Sequence, residues 1–296
     1  MLIRVSLTLR RFTKCAAIDL PSAAIHITIC DEYIHVSTLQ HSHQCYIIDE
    51  RNGKLGFKRL FSDSRERNCS THLVVDIPNP SGQDTIVLVN DKKSSSITGL
   101  HRATTRTHKT ATPTLFEACL PRTVVRIQQG DIRPPWRRPA TPTIGVLNDD
   151  IIGACSDGTI YTFSILSQPA RHLLRFLQNL IEEKDKRDPM NHVTGSLSDV
   201  LMHGADGNQE DKIRALDVDP RVKERGMAGP RFKAIDGDLV GRWMDVDGDL
   251  EALVGEGTEA NVGRVFAEFV AEMWEEEMDA MGTVRGWLGE VFMPVL

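Results

Sequence analysis

The sequence predicts a mainly β chain followed by a helical C-terminal region. Three observations carry this. Short apolar runs recur through the first half, ~8–12 residues apart, with Gly, Pro, Asn and Asp between them. At Ser167-Gln168-Pro169 the hydrophobic period changes from that of a strand to that of a helix. The charge changes with it: residues 1–165 hold 20 Lys and Arg against 15 Asp and Glu, and residues 166–296 hold 15 against 26. A balance of +5 in one segment and −11 in the other divides the chain into regions with different surfaces, 1–165 and 166–296.

The strands follow in order. Ala24 to Cys30 alternates with period two, and Tyr33 to Thr38 follows after Asp31-Glu32. Cys45 to Asp49 leads into Arg51-Asn52-Gly53-Lys54, and Asn-Gly between apolar runs predicts a hairpin because both residues tolerate positive φ. Leu73 to Ile77 and Thr85 to Val89 flank the turn residues Pro78 to Gly82. Val87 to Lys92, then Ser96 to Leu100, read as the end of one blade and the start of the next. Ile151 to Phe163 runs apolar strand, Ser156-Asp157-Gly158 turn, alternating strand, a phrase common in propeller blades. Such spacing fits a sandwich, a barrel or a propeller, and the chain holds no WD dipeptide. Residues 101–143 are dominated by Thr, Arg, His and Pro and predict a long exposed basic loop around one short strand, Val124 to Ile127.

Beyond Pro169, the residues Leu173, Leu174, Leu177, Leu180 and Ile181 fall at helical spacing and predict an amphipathic helix ending near Asp188-Pro189. Residues 190–230 are rich in Gly, Asp, Asn and Pro and read as a flexible segment. A short helix is expected over Leu239 to Met244 behind Asp236-Gly237-Asp238. A longer one is expected over Ala260 to Met281, with Val262, Val265, Phe266, Phe269, Val270 and Met273 on its apolar face.

With 296 residues and 41% hydrophobic content, the chain can bury a substantial core. It shows no long apolar h-region at its start and no run of ~20 apolar residues, so neither secretion nor a membrane span is expected. Cys15, Cys30, Cys45, Cys69, Cys119 and Cys155 form no CxxC pair and read as reduced, mostly buried thiols.

Chemistry-bearing patterns are sparse. There is no GxSxG, no P-loop and no GxGxxG after a strand, so no catalytic set and no cofactor are expected. His41-Ser42-His43-Gln44-Cys45 offers metal-type ligands without a second half-site and reads as a polar turn between strands. Asp245, Asp247, Asp249 and Glu256 match positions of a calcium loop, yet Leu250 stands where that loop needs glycine; an acidic inter-helix loop is expected. Arg133, Arg137 and Arg138 surround Trp136, a basic patch with an aromatic inside it. It could meet phosphates and a base, or serve as a protein hot spot.

Ile235-Asp236-Gly237-Asp238-Leu239, preceded by a blade-like strand and the helix Leu173 to Ile181, resembles the signature near the C-terminus of the cleavage and polyadenylation specificity factor A subunit family. That family takes in the large subunit of the damaged-DNA-binding complex. Tyr33 to Leu39 and Ser96 to Leu100 resemble its blade strands, and Gly130 to Trp136 resembles a stretch of the fungal methyl-methanesulfonate-sensitivity scaffolds. Family members are much longer, so the resemblance implies part of a final β-propeller followed by the helical C-terminal region. It also implies a non-enzymatic scaffold in the nucleus, holding protein subunits of a complex for DNA repair, ubiquitin ligation or mRNA processing. The alternative it carries is direct binding of DNA or RNA.

Overall fold

The computed structural model describes residues 2–6, 11–51, 54–79, 82–101, 111–112, 114–138, 141–187, 234–246, 248–255, 261–274 and 279–292. The chain is mainly β with helices concentrated toward the C-terminus. It divides into one unit of residues 1–129 and 152–161 and another of 130–151 and 162–296. Residues 130–151, which the charge split placed with the strands, group with the helices.

The first unit opens with a hairpin of β1 (Leu2–Ser6) and β2 (Arg11–Ala16). An antiparallel meander follows: β3 (Ala24–Cys30), β4 (Tyr33–Thr38), β5 (Ser42–Arg51) and β6 (Lys54–Asp63), with β10 (Ala111–Thr112) added parallel to β6. The register pairs Arg51 with Lys54, the two-residue connection that Asn52-Gly53 predicts. A second antiparallel meander is β7 (His72–Asn79), β8 (Gly82–Asp91), β9 (Ser96–His101) and β11 (Thr114–Cys119). Cys45, Phe61, Cys69, Val87, Val89 and Leu100 form an apolar core in this unit. A third sheet has the order β12-β13-β14, from β12 (Val124–Gln129), β13 (Val146–Cys155) and β14 (Ile160–Leu166). The turn before β14 has Gly158 at φ 89°, and Asp157 Oδ1 accepts the Thr159 N–H at 3.1 Å, so Ser-Asp-Gly chemistry closes it.

Three sequence expectations in this region are corrected. No blade boundary falls between residues 87–92 and residues 96–100, because β8 and β9 are paired neighbours in one sheet. Residues 101–143 do not surround a single strand, because β10 and β11 lie among them. Buried Glu117 breaks the apolar alternation of β11. The residues from Ser42 to Cys45 are not a turn but the start of β5, with His43 and Cys45 fully buried. The packing of β11 on β9 also explains Gly99: a Cβ there would overlap the Phe116 ring. Gly99→Ala should therefore lower stability by about 1–3 kcal/mol, measurable by urea unfolding.

In the second unit, α1 (Gln168–Arg187) buries Leu173, Leu174, Leu177 and Ile181, the face predicted from spacing. They share a core with α2 (Gly237–Val246), α3 (Leu250–Gly255), α4 (Val262–Met273) and α5 (Ala280–Val291). Phe176 sits 5.6 Å from Phe269 between ring centroids. The expected helix over Ala260 to Met281 is instead broken. The backbone at Trp274 is extended (φ −124°, ψ 126°), and α5 begins at Ala280. The break lets Trp274 meet Trp287 edge-on at 5.8 Å, while the Trp287 indole N–H donates to the Ile144 carbonyl at 2.7 Å. The expected flexible segment 190–230 lies outside the described residues.

Candidate functional site

β3, β7 and β12 each begin a sheet in chain order, and each lies at a sheet edge. All three border one cleft of about 240 Å³ in the first unit. β3 contributes the face bearing His26 and Thr28, β7 contributes His72 to Val74 with Thr71 just before it, and β12 contributes Arg126 to Gln129. Asn90 of β8 helps fix β12 in place. Its amide N–H₂ donates to the Val124 carbonyl and to Ser70 Oγ, both at 2.7 Å, and its oxygen accepts the Ser70 and Thr71 N–H groups at 2.9 and 3.0 Å. Every hydrogen-bonding group of this buried amide is engaged, so it fixes the strands it bridges.

His72 of the cleft wall packs against His35 and His43 behind it, and all three are buried. His35 Nδ1 and His43 Nε2 are 3.1 Å apart, and Ser37 Oγ lies 2.8 Å from His72 Nδ1. The His72 backbone N–H donates to His26 Nδ1 at 3.2 Å, which places the proton of neutral His26 on Nε2. Burial drives the His43 and His72 pKa values down, His72 to about 3, and neighbouring imidazoles push the same way. His26 is lowered by burial and by the Arg126 charge. Burial raises the Cys69 thiol to about 12, opposite to what a nucleophile needs. Among the described residues, no group of three or more His, Cys, Asp or Glu is placed to hold a metal ion.

The basic patch of Arg133 to Arg138 lies elsewhere, in the second unit. Arg133 donates from Nε to Asp131 Oδ1 at 2.8 Å and from Nη2 to Asp131 Oδ2 at 3.0 Å, and Nη2 also meets Asp149 at 2.7 Å. Arg138 joins the same carboxylate, with Nε 3.4 Å from Asp131 Oδ2. The Arg133 hydrogen bonds hold Asp131 below the usual carboxylate range. Asp131 in the loop and Asp149 of β13 thus offset the two arginine charges and brace the loop. Trp136 stands on a 3₁₀ turn, Pro135–Arg137, with 83% of its surface exposed. The Arg137 side chain lies outside the described residues.

The Ile235 to Leu239 motif is an anchor for α2. Asp236 Oδ1 accepts the Asp238 and Leu239 N–H groups at 3.1 and 3.2 Å, satisfying donors at the helix start. Gln178 Oε1 accepts the Asp236 N–H at 3.0 Å, and Arg175 donates to the Ala234 carbonyl. Gly237 passes beside the Phe292 ring, Asp238 is exposed in the first turn, and Leu239 is buried with Ile235 packed on the same core. In the acidic loop after α2, Asp249 accepts the Ala252 N–H at 3.0 Å and caps α3. Asp247 and Glu256 lie outside the described residues.

The cleft residues His26, His72 and Arg126 carry no motif. Their one sequence signal is histidine at alternating strand positions, and the convergence of three sheet edges brings them together. No protein-family model matches the chain, and no curated protein matches it. Among the described residues, no helix is long and apolar enough to cross a membrane.

Proposed function

We propose that the chain is a non-enzymatic interaction scaffold of β-propeller type, acting in a nuclear complex of the kind formed by the cleavage and polyadenylation specificity factor A subunit family. The observation that carries this is the common cleft. Two four-stranded meanders and a third sheet follow one another in sequence, and the first strand of each faces the same space. Propeller blades are arranged in this way around a central channel. The helix-anchoring motif Ile235 to Leu239, standing after the last strand and α1, agrees with the family's order of elements.

A scaffold needs rigid, exposed anchors, and Trp136 meets that need: a large amphipathic side chain raised on a loop that Arg133, Arg138, Asp131 and Asp149 brace. With its guanidinium committed to two carboxylates, Arg133 is poorly placed to serve phosphate, which favours a protein over a nucleic acid at this loop. The test is affinity purification of the tagged chain from nuclear extract with nuclease present, followed by mass spectrometry. Subunits of a cullin-type ligase or of an RNA-processing complex are expected. Trp136→Ala should reduce their recovery while changing unfolding stability by less than about 0.5 kcal/mol. Partners that vanish with nuclease would overturn the protein-scaffold reading.

A further inference from the structure

We propose that the outer edge of β3 and the cleft beside it receive an extended segment of a protein partner in which apolar and acidic residues alternate. This deepens the scaffold reading, and rests on it, by naming the chemistry of one partner.

The argument begins with the two faces of β3. Successive side chains of a strand point to opposite faces. Ile25, Ile27 and Ile29 lie on one of them and are 45%, 57% and 70% exposed. Three large aliphatic side chains in a row on a sheet edge form an apolar stripe of the kind that marks interaction sites. His26 and Thr28 lie on the opposite face and line the cleft. Among the described residues, no strand pairs with β3 on the side away from β4, so its outer backbone groups are a template for another strand.

The cleft sets the charge of the occupant. Arg126 is exposed on its wall, no Asp or Glu lines it, and no described carboxylate pairs with that guanidinium. His26 presents its Nε2–H as a donor, because Nδ1 is occupied by the His72 backbone N–H. Guanidinium and imidazole N–H groups with no carboxylate beside them favour an anion. A strand added along β3 places its own side chains alternately on the isoleucine side and on the Arg126 side. Apolar residues fit the first and Asp or Glu the second.

The test uses the full chain and a short fluorescein-labelled peptide of alternating valine and glutamate, read by fluorescence anisotropy. Two control peptides replace glutamate with lysine and valine with serine. The first peptide is expected to bind and both controls to bind more weakly. Arg126→Gln should weaken binding about tenfold or more, the loss expected for one charge-assisted contact. Ile27→Ser should weaken it separately. Both positions are exposed, and matching unfolding curves for the variants check that they fold. Equal binding of the glutamate and lysine peptides, no effect of Arg126→Gln, or no peptide binding at all would overturn the proposal. So would Arg126-dependent binding of oligothymidylate without peptide binding, which would make the cleft a nucleic-acid site. If the peptide fails while protein partners are still recovered from nuclear extract, the scaffold reading stands and this inference alone falls.

Discussion

Replacing Arg67 with methionine should destabilise the first unit by about 3–5 kcal/mol, the range found when one member of a buried ion pair is removed. Arg67 is 4% exposed and lies in the connection between β6 and β7. Its Nε donates to Asp63 Oδ2 at 2.9 Å, and its Nη1 donates to Glu117 Oε1 at 3.2 Å. The Asp63 side chain is fully buried and that of Glu117 is 4% exposed. Burial alone would pull the Arg67 pKa down, but the two carboxylates outweigh it and the pKa is raised. Methionine fills much of the same volume, leaves the buried Asp63 carboxylate without a cation, and leaves Glu117 only the half-exposed Arg65, whose Nη1 is 3.4 Å from Glu117 Oε2. Ser42 Oγ, 2.6 Å from Asp63, and Ser96 Oγ, 3.4 Å from Glu117, supply hydrogen bonds but no charge. Arg67→Lys should cost less than methionine yet remain destabilising, because one ammonium cannot reproduce a fork that reaches two elements. Urea unfolding of wild type, both variants and the triple variant Asp63→Asn/Arg67→Met/Glu117→Gln would decide the cause. Removing the carboxylate charges together with the cation should recover part of the loss. If the triple variant is no more stable than Arg67→Met, stranded charge is not what destabilises it.

The same triad shows why part of this molecule is legible in sequence and part is not. Helix α1 could be read because Leu173, Leu174, Leu177 and Ile181 announce one face within a few turns, and β3 could be read because its alternation is local. Strand β11 was hidden because its buried member is Glu117, which local patterning assigns to solvent. Arg67 and Arg65, some fifty residues earlier, make that burial tolerable. The helical region poses the same problem at Trp274, where tertiary contact with Trp287 overrides good helix periodicity. The basic patch was visible as composition, but its partners were not: Asp131 lies two residues from Arg133, whereas Asp149 is reached only through the fold. The cleft was least visible of all. His26 and His72 are 46 residues apart, and Arg126 comes from a third sheet. Each looks like an ordinary strand residue until three sheet edges converge.

Those histidines make the first unit acid-sensitive above the range where ordinary carboxylates titrate. His43 and His72 are buried and neutral in the fold, with pKa values driven down by desolvation and then by neighbouring imidazoles. A second proton on either ring would also find no acceptor. His43 Nδ1 and His72 Nε2 are buried without a hydrogen-bond partner among the described residues. In the unfolded chain both rings titrate near 6.5. Below that pH the unfolded state therefore binds more protons than the folded state, and stability falls as pH falls. The loss continues until the folded groups protonate, which for His72 is at about 3. Between about pH 7.5 and about pH 5.5, His72 alone should remove about 1.4 kcal/mol, with His43 adding in the same direction. Ordinary Asp and Glu side chains titrate below this interval and do not obscure it. Denaturant unfolding at several pH values gives the slope directly. His72→Gln keeps a polar group near Ser37 but removes the titration, so its stability should depend on pH less steeply than that of wild type, whatever its absolute value. A flat wild-type profile over this interval, or a His72→Gln variant as steep as wild type, would show that the imidazoles take up protons without unfolding. The cluster would then be open to solvent in the folded state, and the strands bordering the cleft would have to separate readily to let water in.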